Sequence, residues 1–533
     1  MSELRLVPGA LVVWAVTLAL LLDVPVVPLL LVPLALLWFR QPGQAVLTGV
    51  LGTGAAVLVW WRRRLAAGWS APEEAVGRVV ASGSGHVRVA LPGYPTPLTV
   101  FTGDIPPTGA RVLVEAGWSG SGRAGVGGLV GNGDLTVLRD PQGMNRVAAT
   151  VRDALRAAVD ATVGESSRGL IPGMVLGDVG AQSEAEKQLY IDTGLSHLSA
   201  VSGANVAIVT SFAVITCRLF TLGPRVQVAA AVGALLGFVG LVGTEPSVLR
   251  ASVTGLVGLL AVLGSTRLEP IHGLCLAVIG LILWDSDLAV SYGFALSVAA
   301  TAGIIALHPL LFRPLARTRL PEIVARALAV AVSADIVTLP IIALMAGEVS
   351  VVSVLANVLV APAVAPVTVL GLIAAGLSLL PGPLAWLPLT LLEPCTWWIH
   401  TVATWCAGLP VSTVQAEPVW VLIAYGWIIV GIVAGHPVKT VAVLLAWWIY
   451  AADVTRPPPE IPLDTLQVHV VEKLEEVDSA PPGTQVIIVR DPAGSPAQRP
   501  TVTRDGVPVL FPDRDGEVTL HPDGTQHARD GRF

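Results

Sequence analysis

Apolar runs recur along most of the chain, near 8–22, 24–39, 44–61, 197–217, 226–242, 246–264, 270–284, 288–308, 327–345, 350–380, 384–408, 418–434 and 438–452. A bilayer core is crossed by about 20 consecutive apolar residues in a helix. Several runs are short or broken by proline, so the pattern predicts about ten to thirteen spans. Pro362, Pro366, Pro381 and Pro383 predict interrupted helices within 350–383. Irregular backbone at that depth survives only inside protein or along a cavity.

Two stretches obey other periods. Residues 70–140 (GRVVASGSGHVRVAL, TPLTVF, ARVLVEAGW, DLTVL) alternate apolar and polar positions between Gly, Pro and Ser turns. Period two predicts strands, and about five short strands suit a small closed barrel of the OB-fold type. Residues 145–163 place Val147, Val151, Ala154, Leu155, Ala158 and Val159 on one helical face, predicting an amphipathic helix on the membrane surface or against the barrel. After Tyr450, Arg456-Pro-Pro-Pro-Glu460 is a stiff linker, and the tail reads as a small β-module or a partly disordered segment.

The fold class is therefore a polytopic α-helical membrane protein with an inserted small β-barrel. Its predicted parts are N-terminal transmembrane helices (1–64), the barrel (65–145), an amphipathic helix and connector (146–190), a transmembrane channel domain (191–452) and the tail (453–533). Composition agrees, with 53% hydrophobic and 13% charged residues and a mean hydropathy of +0.72. The N-terminal run has no small-residue cleavage site and reads as a retained span.

Net charge is −6, which provides no global field for nucleic acid. Lysine occurs only at 187, 439 and 473, and arginine supplies the remaining basic charge. A GC-rich genome explains that bias, as does a need for planar phosphate-binding forks. Loop charges set orientation. Arg218, Arg225, Arg267, Arg313, Arg317, Arg319 and Arg326 predict cytoplasmic loops, which puts the protein in the cytoplasmic membrane with barrel and tail outside. Arg62, Arg63 and Arg64 dissent from this scheme.

Residues 194–206, GLSHLSAVSGANV, place His197, Ser199, Ser202 and Asn205 at the head of an apolar run. Read as one helix, this run carries a polar stripe and the close-packing pair Ser199 and Gly203. Polar groups in hydrocarbon need partners or a wet cavity, so the helix reads as the wall of a pathway. No lysine completes a G-x-x-x-x-G-K-[ST] loop, and neither H-E-x-x-H nor G-x-S-x-G occurs. The cysteines (217, 275, 395, 406) form no C-x-x-C, and Cys395 and Cys406 on one helix lie roughly 16 Å apart, too far to bond. The expectation is a non-enzyme without metal or cofactor.

The motifs resemble those of the ComEC competence protein family. Besides GLSHLSAVSGANVAIV (194–209), MVLGDVG (174–180), PSVLRASVTGLVGLLAVLGSTR (246–267), DSDLAVSYGFALSVAATAGI (285–304) and ADIVTLPIIALMAGEVSVVSVLANVLVAPAVAPV (334–367) follow the family's order. Ala204 and Asn205 stand where Leu-His is often found. The resemblance implies an external OB-fold and a channel passing single-stranded DNA into the cytoplasm during natural transformation. It also implies work with an external DNA receptor, a competence pilus and a cytosolic helicase-like ATPase. Residues 456–533 are too short for the family's metallo-β-lactamase-like domain and lack its His/Asp cluster, so nuclease activity is not carried over.

A strand brings one charge per phosphate. Arg250 either meets a phosphate at the mouth or pairs with Asp335, while Ser202, Asn205 and Asn357 offer neutral hydrogen bonds. Asp178, Asp285 and Glu348 read as loop-orienting residues. On the barrel, Arg78, Arg88, Arg111, Tyr94, Phe101 and Trp118 form a candidate DNA-binding set, against the alternative of a core-and-spacer role. Two other functions make different demands on the sequence. A small-solute transporter would show inverted repeats, and none is visible. An intramembrane hydrolase using Ser202 and His197 would need the helix broken between them, because five residues place them about 140° apart.

Overall fold

In the computed structural model, residues 4–263 (except 84 and 200), 269–436 and, with gaps, parts of 439–528 are described. The chain divides into two units, 1–443 and 444–533.

The first unit opens with three apolar helices, α1 (Val7–Leu21), α2 (Val27–Trp38) and α3 (Pro42–Ala67). Prolines at their first turns suit positions where the missing N–H has no helical acceptor. The barrel follows as β1 (Glu74–Gly83), β2 (His86–Ala90), β3 (Leu98–Phe101), β4 (Arg111–Gly120) and β5 (Leu129–Arg139). Its order, β1-β2-β3-β5-β4 closing on β1, is that of an OB-fold. β3 and β5 run parallel and the other pairs antiparallel. Val87, Val89, Val100, Val112 and Val114 fill the interior and are fully buried.

After the barrel, α4 (Met144–Thr162) leads through α5 (Glu165–Arg168) and α6 (Leu170–Leu176) to α7 (Glu184–Asp192). The helical domain continues with α8 (Gly203–Leu219), α9 (Pro224–Val242), α10 (Pro246–Leu263), α11 (Pro270–Trp284), α12 (Tyr292–Leu315), α13 (Glu322–Ala346), α14 (Ser353–Leu377), α15 (Trp386–Ala407) and α16 (Pro418–Val433). Two short strands, β6 (Glu348–Ser350) and β7 (Thr413–Gln415), pair between these helices. Among the described residues, α3, α9, α12, α13 and α14 are long and apolar enough to cross a membrane, and α1, α8, α11 and α16 are shorter apolar helices. The expected runs between 8 and 434 are thus present as helices, and five have both the length and the apolarity of a span. Arg267 and most of the 438–452 run lie outside the described residues.

Three expectations change. α14 continues through Pro362 and Pro366, and the interruption falls only after Leu377. Beside the proline turn a neighbouring helix adds a bond, since Trp398 Nε1 on α15 donates to the Leu359 carbonyl over 2.9 Å. The amphipathic α4 packs on α9, α14 and α15 through Val151, Leu155 and Val159, and Asn145 in its first turn lies against Gly109 of the barrel. The dissenting arginines have local partners: Arg62 reaches Ser286 Oγ at 2.6 Å and the carbonyls of Leu283 and Trp284, capping α11, while Arg63 pairs with Asp23 at 2.6 Å. A cation at a helix C-terminus meets free carbonyls and the negative dipole end.

In the second unit, β8 (Val468–Val471), β9 (Val486–Val489), β10 (Thr501–Val502) and β11 (Pro508–Leu510) form one sheet in the order β10-β11-β9-β8. β12 (Val518–Leu520) pairs with β13 (Gln526–Ala528). Val471, Ile487, Val489, Val509 and Phe511 pack as a small core, so the described part of the tail is a β-module.

Candidate functional site

The segment expected to be one helix from His197 is not helical at its start. Ser196–Leu198 form a single 3-10 turn, Ser202 is extended (φ −98°, ψ 162°), and α8 starts at Gly203. Gly194 takes φ +69°, a left-handed conformation that favours glycine. The predicted polar stripe is therefore a loop laid against the helices, and Ser199 and Gly203 share no helix face.

This loop meets α10 and α12 at Arg250. The Arg250 side chain is 7% exposed, and its Nε donates to Ser297 Oγ over 2.8 Å. A Cβ on Gly203 would lie 2.5 Å from Arg250 Nη2, so the guanidinium stands directly beside the start of α8. The Ser202 side chain does not cap that helix. No carboxylate pairs with Arg250 among the described residues. Two positive groups, a guanidinium and a helix N-terminus, thus converge without an anion. The expected Arg250–Asp335 pair does not form, because α12 packs against both α10 and α13 and Arg250 finds Ser297 there. Asp335 instead accepts from Ser353 Oγ at 2.9 Å, at the first turn of α14.

Asn205 is 3% exposed and ties three elements together. Its Nδ2 donates to the Met174 carbonyl at 2.9 Å, and its Oδ1 accepts from Thr368 Oγ1 at 3.3 Å and Ser202 Oγ at 3.5 Å. Asn357 Nδ2 donates to the Ser353 carbonyl at 3.0 Å and reaches the Gly194 carbonyl at 3.5 Å. His197 is exposed and makes a backbone hydrogen bond with Gly194. The break between His197 and Ser202 removes the angular objection to a hydrolase pair. The recorded partners nonetheless differ, Gly194 for His197 and Asn205 for Ser202.

Sequence reasoning missed Gln182, Ser297, Thr368 and Ser353. Gln182 is 6% exposed, and among the described residues neither its amide atoms nor the buried Ser199 Oγ has a hydrogen-bond partner. Both approach Gly173, where an added Cβ would sit 2.8 Å from the Ser199 carbonyl and 3.4 Å from Gln182 Nε2. Ser297 was legible as the last residue of SYGFALS, whereas Gln182 lies in a loop with no periodicity to mark it. Asp178 receives Arg156 and Asp285 caps the turn at Asp287, both loop-ordering roles.

On the barrel the aromatic candidates divide. Tyr94 is buried and packs edge-on against Trp69 at 5.0 Å, and Trp69 meets Trp118 at 5.8 Å. Trp118 Nε1 donates to the Pro72 carbonyl at 2.7 Å. These rings fasten the entry strand to the barrel rather than standing free for bases. Phe101 is 42% exposed, and Arg78 and Arg111 are exposed. Arg88 lies within electrostatic reach of Asp287, which accepts the Val126 N–H at 2.8 Å and so docks the β4–β5 loop on the turn before α12.

These elements define a helical membrane protein with an OB-fold barrel and a polar, arginine-bearing core. Residues 174–438 match the family described as Competence protein. The ComE operon protein 3 of Bacillus subtilis (strain 168) is 27% identical over 297 residues, covering 53% of this chain and 36% of that relative. No solved structure matches the chain. The chain belongs to the ComEC competence protein family.

Proposed function

We propose that the 1–443 unit passes single-stranded DNA across the cytoplasmic membrane during competence, as a multi-pass channel and not as an enzyme. The observation that carries this reading is Arg250, a buried guanidinium set against the α8 N-terminus with no acid to neutralise it. Such a pair attracts a phosphate, and a strand supplies phosphates in series. His197, Ser199, Ser202 and the unpartnered Gln182 amide extend a hydrophilic trail from that point. Neutral hydroxyls and amides release a backbone more readily than a second cation would. Asn205, Asp335 and Asn357 brace the wall through their hydrogen bonds. An external DNA receptor, a competence pilus and a cytosolic helicase-like ATPase complete the pathway, since this sequence carries no phosphate-binding loop to power it.

The test is internalisation of labelled DNA in cells carrying Arg250→Ala or Ser202→Leu at unchanged protein levels. Uptake falls sharply in both if the trail conducts the strand. Normal uptake in both removes these residues from the path.

A further inference from the structure

The outer wall of β1, β4 and β5 carries two rows of like charge. Arg78 lies opposite Arg111, and Arg111 lies opposite Arg139. Register partners project from the same face, so three guanidiniums stand side by side at strand spacings of about 5 Å. Farther along the same strands, Glu74 lies opposite Glu115, and Glu115 opposite Asp134. On β1 and β4 the two rows are four residues apart, roughly 13 Å, and a bulge in the β4–β5 register sets Arg139, five residues past Asp134, level with Arg111. All six residues are exposed, and none forms an ion pair among the described residues. Like charges directly opposed destabilise a sheet, so the arginine row needs an anion from outside the barrel.

Its position indicates which anion. Gly109, two residues before Arg111, donates its N–H to the Val79 carbonyl at 2.9 Å and lies against Asn145 in the first turn of α4. Arg139 precedes Met144 by five residues, a reach of at most about 17 Å. A Cβ on Gly240 would meet Met144 Cγ at 2.8 Å, two residues from the end of α9, a membrane-span candidate. The arginine row therefore lies near the depth where a span leaves the hydrocarbon. Leu138 is 54% exposed beside it, and Val137, Val76, Met144 and Val147 are exposed as well. Arginine among exposed aliphatic side chains is the composition of a membrane interface. Single-strand binding calls for stacking rings, and the ring in these register pairs, Trp118, is engaged by Trp69 and the Pro72 carbonyl.

We propose that this end of the barrel docks on anionic phospholipid headgroups. Arg78, Arg111 and Arg139 hold the lipid phosphates, Leu138 enters the acyl boundary, and the acidic row, repelled by the same surface, fixes the tilt. The proposal does not depend on the channel reading.

The test uses the full chain with its four cysteines replaced by alanine and Leu138→Cys carrying a polarity-sensitive fluorophore. It is reconstituted into phosphatidylcholine alone or into equal parts phosphatidylcholine and phosphatidylglycerol, with brominated acyl chains. Quenching is expected only with phosphatidylglycerol. Replacing the three arginines by glutamine should weaken docking about fivefold per residue, and replacing them by lysine should preserve it, which separates charge from folding. Equal quenching in both bilayers, or quenching indifferent to the glutamine triple variant, would overturn the proposal. So would relief of quenching by added oligo-dT, which would assign the wall to nucleic acid.

Discussion

Arg250 Nη2 stands 2.5 Å from where a Cβ on Gly203 would be, and Ala251 Cβ stands 3.2 Å from that same point. The absence of a side chain at 203 thus lets a guanidinium approach the first N–H groups of α8. Gly203→Ala should displace Arg250 and lower DNA uptake, while Arg250→Ala removes the charge altogether. A charge-assisted hydrogen bond contributes about 1.5–3 kcal/mol, so the expected loss is about tenfold to a hundredfold. Arg250→Lys retains the charge without the planar fork and should fall between. Labelled-DNA internalisation at matched protein levels measures the series, and an Arg250→Lys value below Arg250→Ala would contradict a phosphate-binding role.

Asn205 predicts a loss of a different kind. Asn205→Leu strands the Met174 carbonyl in a dry contact, while the Thr368 hydroxyl keeps its bond to the Val364 carbonyl. Each unsatisfied buried group costs about 1–3 kcal/mol. The variant should therefore unfold at lower temperature and accumulate poorly in the membrane, whereas Ser202→Ala, which loses only a 3.5 Å contact, should not. Intact thermal stability in Asn205→Leu would show that the clamp between α6, α8 and α14 contributes little.

Much of this architecture was legible from periodicity. The barrel strands, the apolar helices and the amphipathic α4 follow from periods of two and 3.6, and Arg250 was visible because an ionisable group inside a span requires a reason. Partner choice was not legible. Periodicity places Arg250 and Asp335 each inside the protein but says nothing of α12 between them, so the pair was expected where Ser297 and Ser353 stand. The helix start was misjudged for a similar reason. A left-handed Gly194 and an extended Ser202 outweigh an apolar run that begins between them. Likewise, Tyr94 and Trp118 announced themselves as aromatic, but whether a ring packs inward or meets a ligand depends on Trp69, outside the strand pattern.

The barrel's contact with the turn before α12 should depend on pH. Burial raises the Asp287 carboxyl above its ordinary value, with Asp285 adding to the rise and the Val126 N–H, Arg88 and Thr96 opposing it. A raised carboxyl pKa favours the protonated form in the docked state. Its contribution is complete below the undocked pKa and is lost as pH rises through the docked one. Docking should therefore be tighter at about pH 4 than at about pH 7, and Asp287→Asn should flatten the dependence while keeping an acceptor for Val126. Limited proteolysis of the 121–128 loop across that range reads it out, and tighter docking at the higher pH in the parent protein would reverse the assignment.

Tyr94 and Gly127 give an opposed pair of substitutions at the same junction. The Tyr94 hydroxyl is buried without a hydrogen-bond partner and occupies the space where a side chain at 127 would be. Burial, with Asp287 nearby, pushes the phenol up to about 12, so it stays neutral at any working pH. An unpartnered buried hydroxyl costs about 1–3 kcal/mol relative to an apolar group of the same shape. Tyr94→Phe should accordingly leave stability unchanged or raise it by about 1 kcal/mol, with the Trp69 edge contact retained. Gly127→Ala drives a methyl into the ring and should destabilise by about 1–3 kcal/mol, the range for overpacking. Combining the two separates ring from hydroxyl. The added methyl meets the ring carbon Cζ as well as the hydroxyl, so Tyr94→Phe should rescue Gly127→Ala only in part in thermal unfolding of the full chain. Failure of that rescue would place the conflict in the aromatic ring and its packing on Trp69.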